Sequence, residues 1–512
     1  MLAIDPSKRP LASEVSARLF LLALRTNYDS VTNIFDQIGS DLGWHMAIQK
    51  KKFMIWAQVV GLDDESMRHQ QTSLLVKGKE LGRVFSLVEE IEQDLSFQVK
   101  SQGDPNQPES RALYHEKIQL WIDGLWDMAG IVSKEATKKM TSQLKDYLIS
   151  EATSKLFPVV PDPAIDHSKL SIILAMKQTS ESLDAFAPSE NFELEEPSWH
   201  ALPPQKEIEL GWIGADKSVK TYMLAELLQY EDKWIDRTEE LLARVNGLVS
   251  LLNKPDIVEA FPLLKCRHFY HDSQRNAFKL LYEIPRKAKC PNDEPIIFTL
   301  SSLILKTQDR KQRPPLGDVF FLAHKLASSI MAFHQAGWFH KAVSSSNIVF
   351  FPSDDKVLRN ELISPYIIGF NHSREGRQDA FTVGPPEVKG LKDYQHPEYS
   401  RHYSKLRFRE EFDYYSIGMV LLELALWKSL GHILNKHIPK DAKPEDVRTR
   451  LLEDVVPELG SYMGKLYEDA VKMCLDGTFS EQIGGDQPWS QFEKNVVWPL
   501  EKCLALCPGS GV

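Results

Sequence analysis

The sequence predicts a multidomain protein in which an all-α helix bundle precedes an α+β domain built from two lobes. Apolar residues recur with helical spacing through most of residues 28–155. Beyond residue 205, short patterns typical of β-strands alternate with helical ones. A proline-rich and acidic stretch, residues 156–204, is predicted to be a linker with one short helix near SKLSIILAM. At 512 residues the chain is too long for a single ordinary domain.

Composition narrows the class of protein. With 43% hydrophobic and 26% charged residues, the chain is predicted to be globular and not a disordered scaffold. A net charge of −10 argues against nucleic acid as a partner, because phosphate binding needs a basic surface. Five widely spaced cysteines and the lack of a secretory signal pattern favour the cytoplasm. Cys503 and Cys507 are expected to be helix residues and no metal site is predicted, and membrane association has no support in the sequence.

The first 27 residues contain DPSKRPLASEVSARLFLLAL, in which two X-Pro pairs precede an amphipathic helix. This segment resembles the last helix of a protein kinase catalytic domain. The resemblance implies that the chain begins inside or just after such a domain. The alternative is a plain N-terminal helix with a proline in its first turn.

Residues 28–155 are predicted to form the bundle. Their apolar stripes are separated by polar faces, and KKK at 50–52 is expected to be one solvated face. The segments FDQIGSDLGWHMAIQKKKFMIWAQVVGL and SLVEEIEQDL resemble the fungal prion-inhibition and propagation (HeLo) domain. That family often begins cell-death or incompatibility proteins, so the resemblance implies a helical interaction or effector module. Residues 1–28 do not supply the apolar helix with which toxic members attack membranes.

The second half is predicted to hold two short strands in ELGWIGA and YMLAELLQY, a helix in TEELLARVNGLVSLLNKP and a hairpin around HDSQRN. A long helix follows, with Asp318 expected to cap its start and Gly337 its end. The segments SNIVFF and YIIGF are expected to be strands. FDYYSIGMVLLELALW is apolar nearly all round, which predicts a buried helix.

This order of elements, together with four short motifs, resembles a protein kinase domain. The motifs are the loop at His340, Lys341, Ala342 and Asn347, the triplet Gly369-Phe370-Asn371, the pair Pro397-Glu398, and Asp413 with Gly418 in DYYSIG. The resemblance implies a smaller lobe over residues 205–285 and a larger lobe over 286–508, as in the kinase-like domains that follow fungal HeLo-type domains. It also implies that Asp413 braces the backbone of the loop.

The residues that would carry phosphoryl transfer are missing from these motifs. Ala342 has no proton acceptor where a kinase has its base, and Gly369 has no carboxylate for the metal. Asn347 alone is a weak magnesium ligand. We therefore expect no catalytic residue, and weak or absent binding of ATP and magnesium.

The N-terminal strands lack the phosphate-binding residues as well. Gly211 and Gly214 do not form a phosphate loop, and Glu226 or Leu228 stands at the position of the strand lysine. Lys220 and Lys233 lie near that position but out of register. Two ion pairs of the kinase pattern are also incomplete. Glu239 or Glu240 could be the helix glutamate of the usual pair but has no clear cationic partner, and the arginine that usually pairs with Glu398 is not evident.

The sequence thus predicts a non-catalytic signalling protein, a pseudokinase coupled to a HeLo-like module that binds protein partners or itself. Two alternatives remain. One is an active, atypical ATP-dependent serine/threonine protein kinase that uses displaced residues such as Asp354, Asp355 or Lys279. The other is a membrane-active death effector.

Overall fold

The computed structural model is mostly helical with a small antiparallel sheet region. It divides into two compact units, Met1–His167 and Ser168–Val512. The structure describes residues 12–38, 43–62, 79–101, 108–151, 167–182, 192–194, 199–202, 208–213, 220–230, 235–236, 238–285, 295–307, 313–352, 362, 364–370, 374–375, 390–402, 406–439, 442–477, 479 and 487–507.

The described part of the first unit consists of helices. They are α1 (Ala12–Ile38), α2 (Gly43–Val60), α3 (Lys79–Ser101), α4 (Pro108–Val132) and α5 (Lys134–Glu151). Helix α1 packs on α3, and α2 packs on both α4 and α5. Phe53 and Trp56 of α2 are fully buried, as is Ile122 of α4. These apolar stripes are the ones that the sequence pattern predicts.

Two details of this unit differ from the sequence predictions. The boundary expected between residues 27 and 28 falls within α1, whose Leu24 and Val31 are both fully buried, because one amphipathic stripe continues across it. The segment DPSKRP lies outside the described residues. Lys52 is fully buried and not part of a solvated face, since its ammonium pairs with Asp123 and lies 5.0 Å from the ring centroid of Trp126.

The strands of the second unit, in chain order, are β1 (Trp199–Ala201), β2 (Glu209–Ile213), β3 (Thr221–Gln229), β4 (Cys266–Asp272), β5 (Ala277–Glu283), β6 (Phe298–Thr299), β7 (Trp338–Phe339), β8 (Ile348–Phe350), β9 (Tyr366–Ile367) and β10 (Arg374–Glu375). Antiparallel pairing gives a five-stranded sheet in the order β1–β2–β3–β5–β4. A smaller sheet joins β6, β8 and β9, and β7 pairs with β10. The predicted hairpin around HDSQRN is the β4–β5 turn.

The helices from residue 167 onward are α6 (His167–Ser182), α7 (Thr238–Asn253), α8 (Pro255–Ala260), α9 (Leu300–Lys306), α10 (Leu316–Gln335), α11 (Pro397–His402), α12 (Glu410–Leu426), α13 (Leu430–His437), α14 (Pro444–Arg450), α15 (Val456–Met463), α16 (Lys465–Asp476), α17 (Pro488–Phe492) and α18 (Trp498–Ala505). Helix α12 packs against α10 and α16. It is buried along nearly its whole length, as its apolar sequence predicts.

The stretch predicted as a linker is partly structured. It contains α6 near SKLSIILAM and also β1, which pairs with β2. Phe192 and Leu194 exchange backbone hydrogen bonds with Phe269 of β4. The five-stranded sheet therefore begins before residue 205. The sequence pattern did not predict this, because the edge strand is only three residues long and gives little periodic signal.

Helix α10 begins after Pro315, which makes no side-chain cap, and Asp318 lies in its first turn and does not cap it. Its end follows the prediction, since Gly337 has a φ of +81°. By length and composition α10 could span a membrane, but 67% of its apolar window is buried inside the structure. Helices α12 and α13 pass the same test only as a pair bent by 86°. A buried core helix has the same composition.

Candidate functional site

Asp413 organises the centre of the candidate site from the first turns of α12. Its carboxylate accepts hydrogen bonds from the backbone N–H groups of His340, at 2.8 Å, and Lys341, at 2.9 Å. The Nε2 atom of His334 lies 3.0 Å from the same carboxylate. Asp413 is 1% exposed, so a buried charge is offset here by three hydrogen-bond partners. These contacts hold the loop that follows β7 in the way the sequence predicts.

Lys341 needs this brace, because its φ of +67° lies in the left-handed region that side-chain-bearing residues rarely occupy. Its side chain is largely buried, and its Nζ lies 5.5 Å from the ring centroid of Phe408 and 6.0 Å from that of Tyr399. The ammonium is thus placed over two aromatic rings.

The side chain of His340 bridges the loop and the segment that follows β9. Its Nε2 lies 3.0 Å from the carbonyl oxygen of Ile368, and its Nδ1 accepts a hydrogen bond from the N–H of Ala342 at 3.3 Å. Donation from Nε2 and acceptance at Nδ1 fit a neutral imidazole. Burial lowers the pKa of His340 to about 4, against a smaller opposing effect of Asp413.

Ala342 and Asn347 contact each other across the loop. The Nδ2 of Asn347 donates to the backbone carbonyl of Ala342 at 2.7 Å, and the Ala342 methyl group is buried. The same amide fills the space beside Gly369, where an added Cβ would lie 2.4 Å from Nδ2. Gly369 has a φ of +97°, which also disfavours any side chain there. The two positions that lack carboxylates are therefore closely packed.

Backbone hydrogen bonds hold the end of β9 and the residue that follows it. The N–H of Ile367 donates to the carbonyl of Pro262 at 2.7 Å, and the N–H of Ile368 donates to the carbonyl of Asn347 at 2.9 Å. This segment is thus joined both to the turn after α8 and to the loop that Asp413 braces.

The next two N–H groups have a side chain as their acceptor. The carboxylate of Glu226 on β3 accepts from the N–H of Gly369 through one oxygen and from that of Phe370, at 3.2 Å, through the other. The hydroxyl of Tyr282 donates to Glu226 at 2.8 Å. Burial, followed by the charge of Glu226, raises the pKa of Tyr282 well above its usual range, so its phenol remains a donor. Glu226 is 8% exposed.

Lys279 on β5 does not face this carboxylate. Side chains alternate between the faces of a strand. Lys279 lies two residues from Leu281, which packs with Ala225, so it occupies the face opposite to Glu226. There its Nζ lies 2.5 Å from Glu209 and 5.2 Å from the ring centroid of Trp199.

The other strand positions have local roles. The ring of Trp199 lies against Gly211, where an added Cβ would approach it to 2.4 Å, so this glycine has a packing role. The exposed Lys220 lies over the ring of Trp212, with a centroid distance of 5.5 Å. Leu228 is partly buried, and Glu239 and Glu240 are exposed on the first turn of α7.

The arginine partner of Glu398 is Arg409, eleven residues later and directly before α12. Its Nη2 lies 2.7 Å from Glu398 on an exposed part of the surface. Arg409 lies just before a buried helix and not in the last helices, so the sequence prediction missed it, although its charge beside an apolar run was the available signal. Pro397, the neighbour of Glu398, is buried at the start of α11.

A second buried network lies behind the loop and has no counterpart in the sequence predictions. The hydroxyl of Tyr394 donates to Glu423 at 2.7 Å and lies 2.8 Å from the hydroxyl of Ser345. The other oxygen of Glu423 accepts from the N–H of Leu430. Burial raises the pKa of Glu423 to about 7, against the opposing effect of the hydrogen bond from Tyr394.

Aromatic side chains fill the space between these polar groups. The ring of Phe370 lies 4.9 Å from that of His340 and 5.6 Å from that of Phe333. A small apolar pocket is lined by Leu248, Leu251, Phe333, Trp338, Phe339, His340 and Phe370. No group of three or more histidine, cysteine or acidic residues that could hold a metal ion occurs among the described residues.

Among the described residues, the site can hold its own backbone in place but presents no buried carboxylate without a hydrogen-bonded partner. Its three buried carboxylates, Asp413, Glu226 and Glu423, all accept hydrogen bonds from backbone N–H groups. Five positions named by the sequence analysis lie outside the described residues: Gly214, Lys233, Asp354, Asp355 and Asn371. Compared with protein-family models and with curated proteins, the sequence has no match.

Proposed function

We propose that this chain is a non-catalytic signalling protein of the cytoplasm, in which a pseudokinase is coupled to a HeLo-like helical module. The second unit would be the pseudokinase, with the five-stranded sheet and α7 as its smaller lobe and the helices around α12 as its larger one. The first unit would bind protein partners or further copies of itself. Regulated cell death or fungal incompatibility is the setting that the sequence resemblance suggests.

One observation carries the proposal. The backbone of the loop is held by hydrogen bonds, while the positions of the base and the metal ligand have no carboxylate. Asp413 and His340 fix the backbone of the loop, which supports descent from a working kinase. Gly369 has no room for a metal ligand, because an added side chain would overlap the amide of Asn347, and the buried Ala342 has no proton acceptor. Phosphoryl transfer depends on positioned charges, and these positions carry none.

The alternative of an active, atypical kinase needs a cation near the loop to hold phosphates. Lys279 was the candidate on the sheet, but it lies on the face opposite to Glu226 and pairs with Glu209. On the loop side the sheet presents the carboxylate of Glu226, which would repel a phosphate. These contacts favour the non-catalytic reading.

Phosphotransfer is the direct test. Full-length protein given labelled ATP, magnesium or manganese, and generic protein substrates should transfer no phosphate above a heat-killed control. Transfer that Asn347→Ala abolishes would contradict the proposal. The double variant Ala342→Asp with Gly369→Asp should also remain inactive. The reason is that a side chain at residue 369 would overlap Asn347 and adopt an unfavourable φ.

Nucleotide binding gives a second, independent readout. A ligand present at about 100 times its Kd stabilises the folded state by about 2.7 kcal/mol, so binding raises the melting temperature. We expect no rise with millimolar ATP, with or without magnesium, for the wild-type chain. A magnesium-dependent rise would support the kinase alternative even where transfer is too slow to detect.

A further inference from the structure

Glu226 connects two parts of the second unit that are distant in sequence. It lies on β3 of the five-stranded sheet, and its backbone partners Gly369 and Phe370 follow β9 of another sheet. The carboxylate is buried on the face of the sheet opposite to Lys279, so its charge is met by hydrogen bonds from N–H and O–H donors. A buried anion of this kind holds its donors firmly, because water cannot replace it.

The geometry at Gly369 suits an anion. Two successive backbone N–H groups point to one carboxylate, and Gly369 has a φ of +97°. Consecutive N–H groups in such a turn form a concave binding site for anions. Within this structure the occupant comes from the protein itself.

What the carboxylate holds in place is Phe370. The ring of Phe370 packs on His340 and Phe333, and His340 in turn contacts the carbonyl of Ile368. Release of the two N–H groups would therefore free Phe370 and loosen the loop that Asp413 braces. One side chain thus controls whether the segment after β9 stays against the sheet.

We propose that Glu226 is an internal anionic ligand and latch: it occupies an anion site formed by the N–H groups of Gly369 and Phe370, and excludes external oxyanions from that site. The proposal goes beyond the function proposed above, because the contact exists whether or not the protein binds nucleotide. The ligand class for the vacated site is a small oxyanion, either a carboxylate or a phosphate.

Hydrogen–deuterium exchange of peptides covering residues 366–370 in the full chain tests the latch. In the wild type these N–H groups should be protected. In Glu226→Ala they should exchange at least about tenfold faster, because local opening no longer breaks a charge-assisted hydrogen bond. Glu283→Ala is the matched control, since Glu283 lies on β5 of the same sheet and pairs with the exposed Arg267. It should leave this exchange unchanged.

Anion rescue tests the site. Formate or inorganic phosphate, compared with chloride at equal ionic strength, should slow exchange at residues 366–370 in Glu226→Ala and leave the wild type unchanged. Rescue by formate alone would identify a carboxylate-sized site, and rescue by phosphate would identify a larger one; either supports the proposal. Rescue by neither anion, or equal slowing in the wild type, overturns it.

Two further measurements keep the result unambiguous. Exchange across β5 and the circular dichroism of Glu226→Ala establish that the variant is folded. If it is not, Glu226→Gln replaces it, since the amide keeps the size of the side chain and one acceptor oxygen but loses the charge. Faster exchange at residues 366–370 is expected there too. A folded variant whose exchange at these residues equals that of the wild type overturns the proposal.

Discussion

His340 has two different partners for its two ring nitrogens, and both suit the neutral ring. Its pKa of about 4 lies below the ordinary value of 6.5 for the unfolded chain. As pH falls below 6.5, His340 is protonated in the unfolded chain but stays neutral in the folded one. The free energy of unfolding therefore decreases between pH 6.5 and about 4. The full loss is about 3 kcal/mol.

We therefore expect the wild type to lose more stability than His340→Gln on acidification, approaching a difference of about 3 kcal/mol near pH 4. Urea denaturation at intervals from pH 7.5 to 4 measures this difference. His396, whose pKa burial lowers to about 3, and Glu423 titrate in both proteins and cancel. Parallel pH profiles for the two proteins would show that His340 is not held neutral.

Asp413 gives the second prediction at this scale. Asp413→Ala removes a buried charge and leaves the N–H groups of His340 and Lys341 without their acceptor. The expected cost is about 3–5 kcal/mol in the free energy of unfolding, measured with urea. Asp469→Ala is the control, because that carboxylate is 51% exposed and pairs only at the surface with Lys465. Its expected cost is at most about 1 kcal/mol.

The sequence predicted the roles of these residues unevenly, for a physical reason. Asp413 and His340 belong to short motifs that resemble those of protein kinases, and that resemblance implies the brace that Asp413 supplies. The contact between Glu226 and Gly369 joins residues 143 apart. It depends on which face of β3 points to the loop, and sequence spacing alone does not fix that. Glu226 was therefore noted only as a missing lysine.

At the scale of elements, the close packing of α12 on α16 depends on Gly418. An added Cβ there would lie 2.7 Å from the Cβ of Cys474 and 3.0 Å from Leu475. Since both neighbours are buried helix residues, neither can move aside without separating the helices.

Gly418→Ala should destabilise the protein by about 1–3 kcal/mol through overpacking. Gly431→Ala is the matched control, because it lies in α13 and its added Cβ would meet nothing within 4 Å. That change should stabilise the chain slightly, by about 0.5–1 kcal/mol, since alanine favours the helix. Melting temperatures that move in the same direction for both variants would contradict this account of Gly418.

Most elements were predictable from their apolar patterns, either a periodic stripe or a long run that is apolar on all sides. Helix α12 and the hairpin of β4 and β5 follow from their patterns. The errors have separate causes. One is the domain boundary expected at residue 27, although the apolar stripe of α1 continues across it. Another is the edge strand β1, whose three residues are too few for a periodic signal. The burial of Lys52 is a third, because three consecutive lysines give no sign of which one turns inward.

At the scale of the whole molecule, the chain divides near residue 167, and the first unit can be studied by itself. A fragment should begin before α1, since a start at residue 28 would cut that helix and remove the buried Leu24. Residues 1–163 retain all the described helices of the unit.

This fragment is the place to test the proposed self-association. Among the described residues of the first unit, Leu120 of α4 is 68% exposed and Met54 of α2 is 37% exposed. Large exposed apolar side chains favour association when they lie in one contact surface, because each loses contact with water there. If the second unit controls this surface in the full chain, the isolated fragment should associate more strongly than the full chain does.

Light scattering at matched molar concentrations across the micromolar range should show larger species for residues 1–163 than for the full chain. Leu120→Glu should lower that mass, because it places a charge where an apolar contact is proposed. Lys117→Glu, one turn earlier on the same helix and also exposed, should leave it unchanged. A fragment that stays monomeric while remaining helical by circular dichroism would rule out the proposal that the second unit controls self-association of the first. Equal effects of the two substitutions would instead show that charge, and not Leu120, determines assembly.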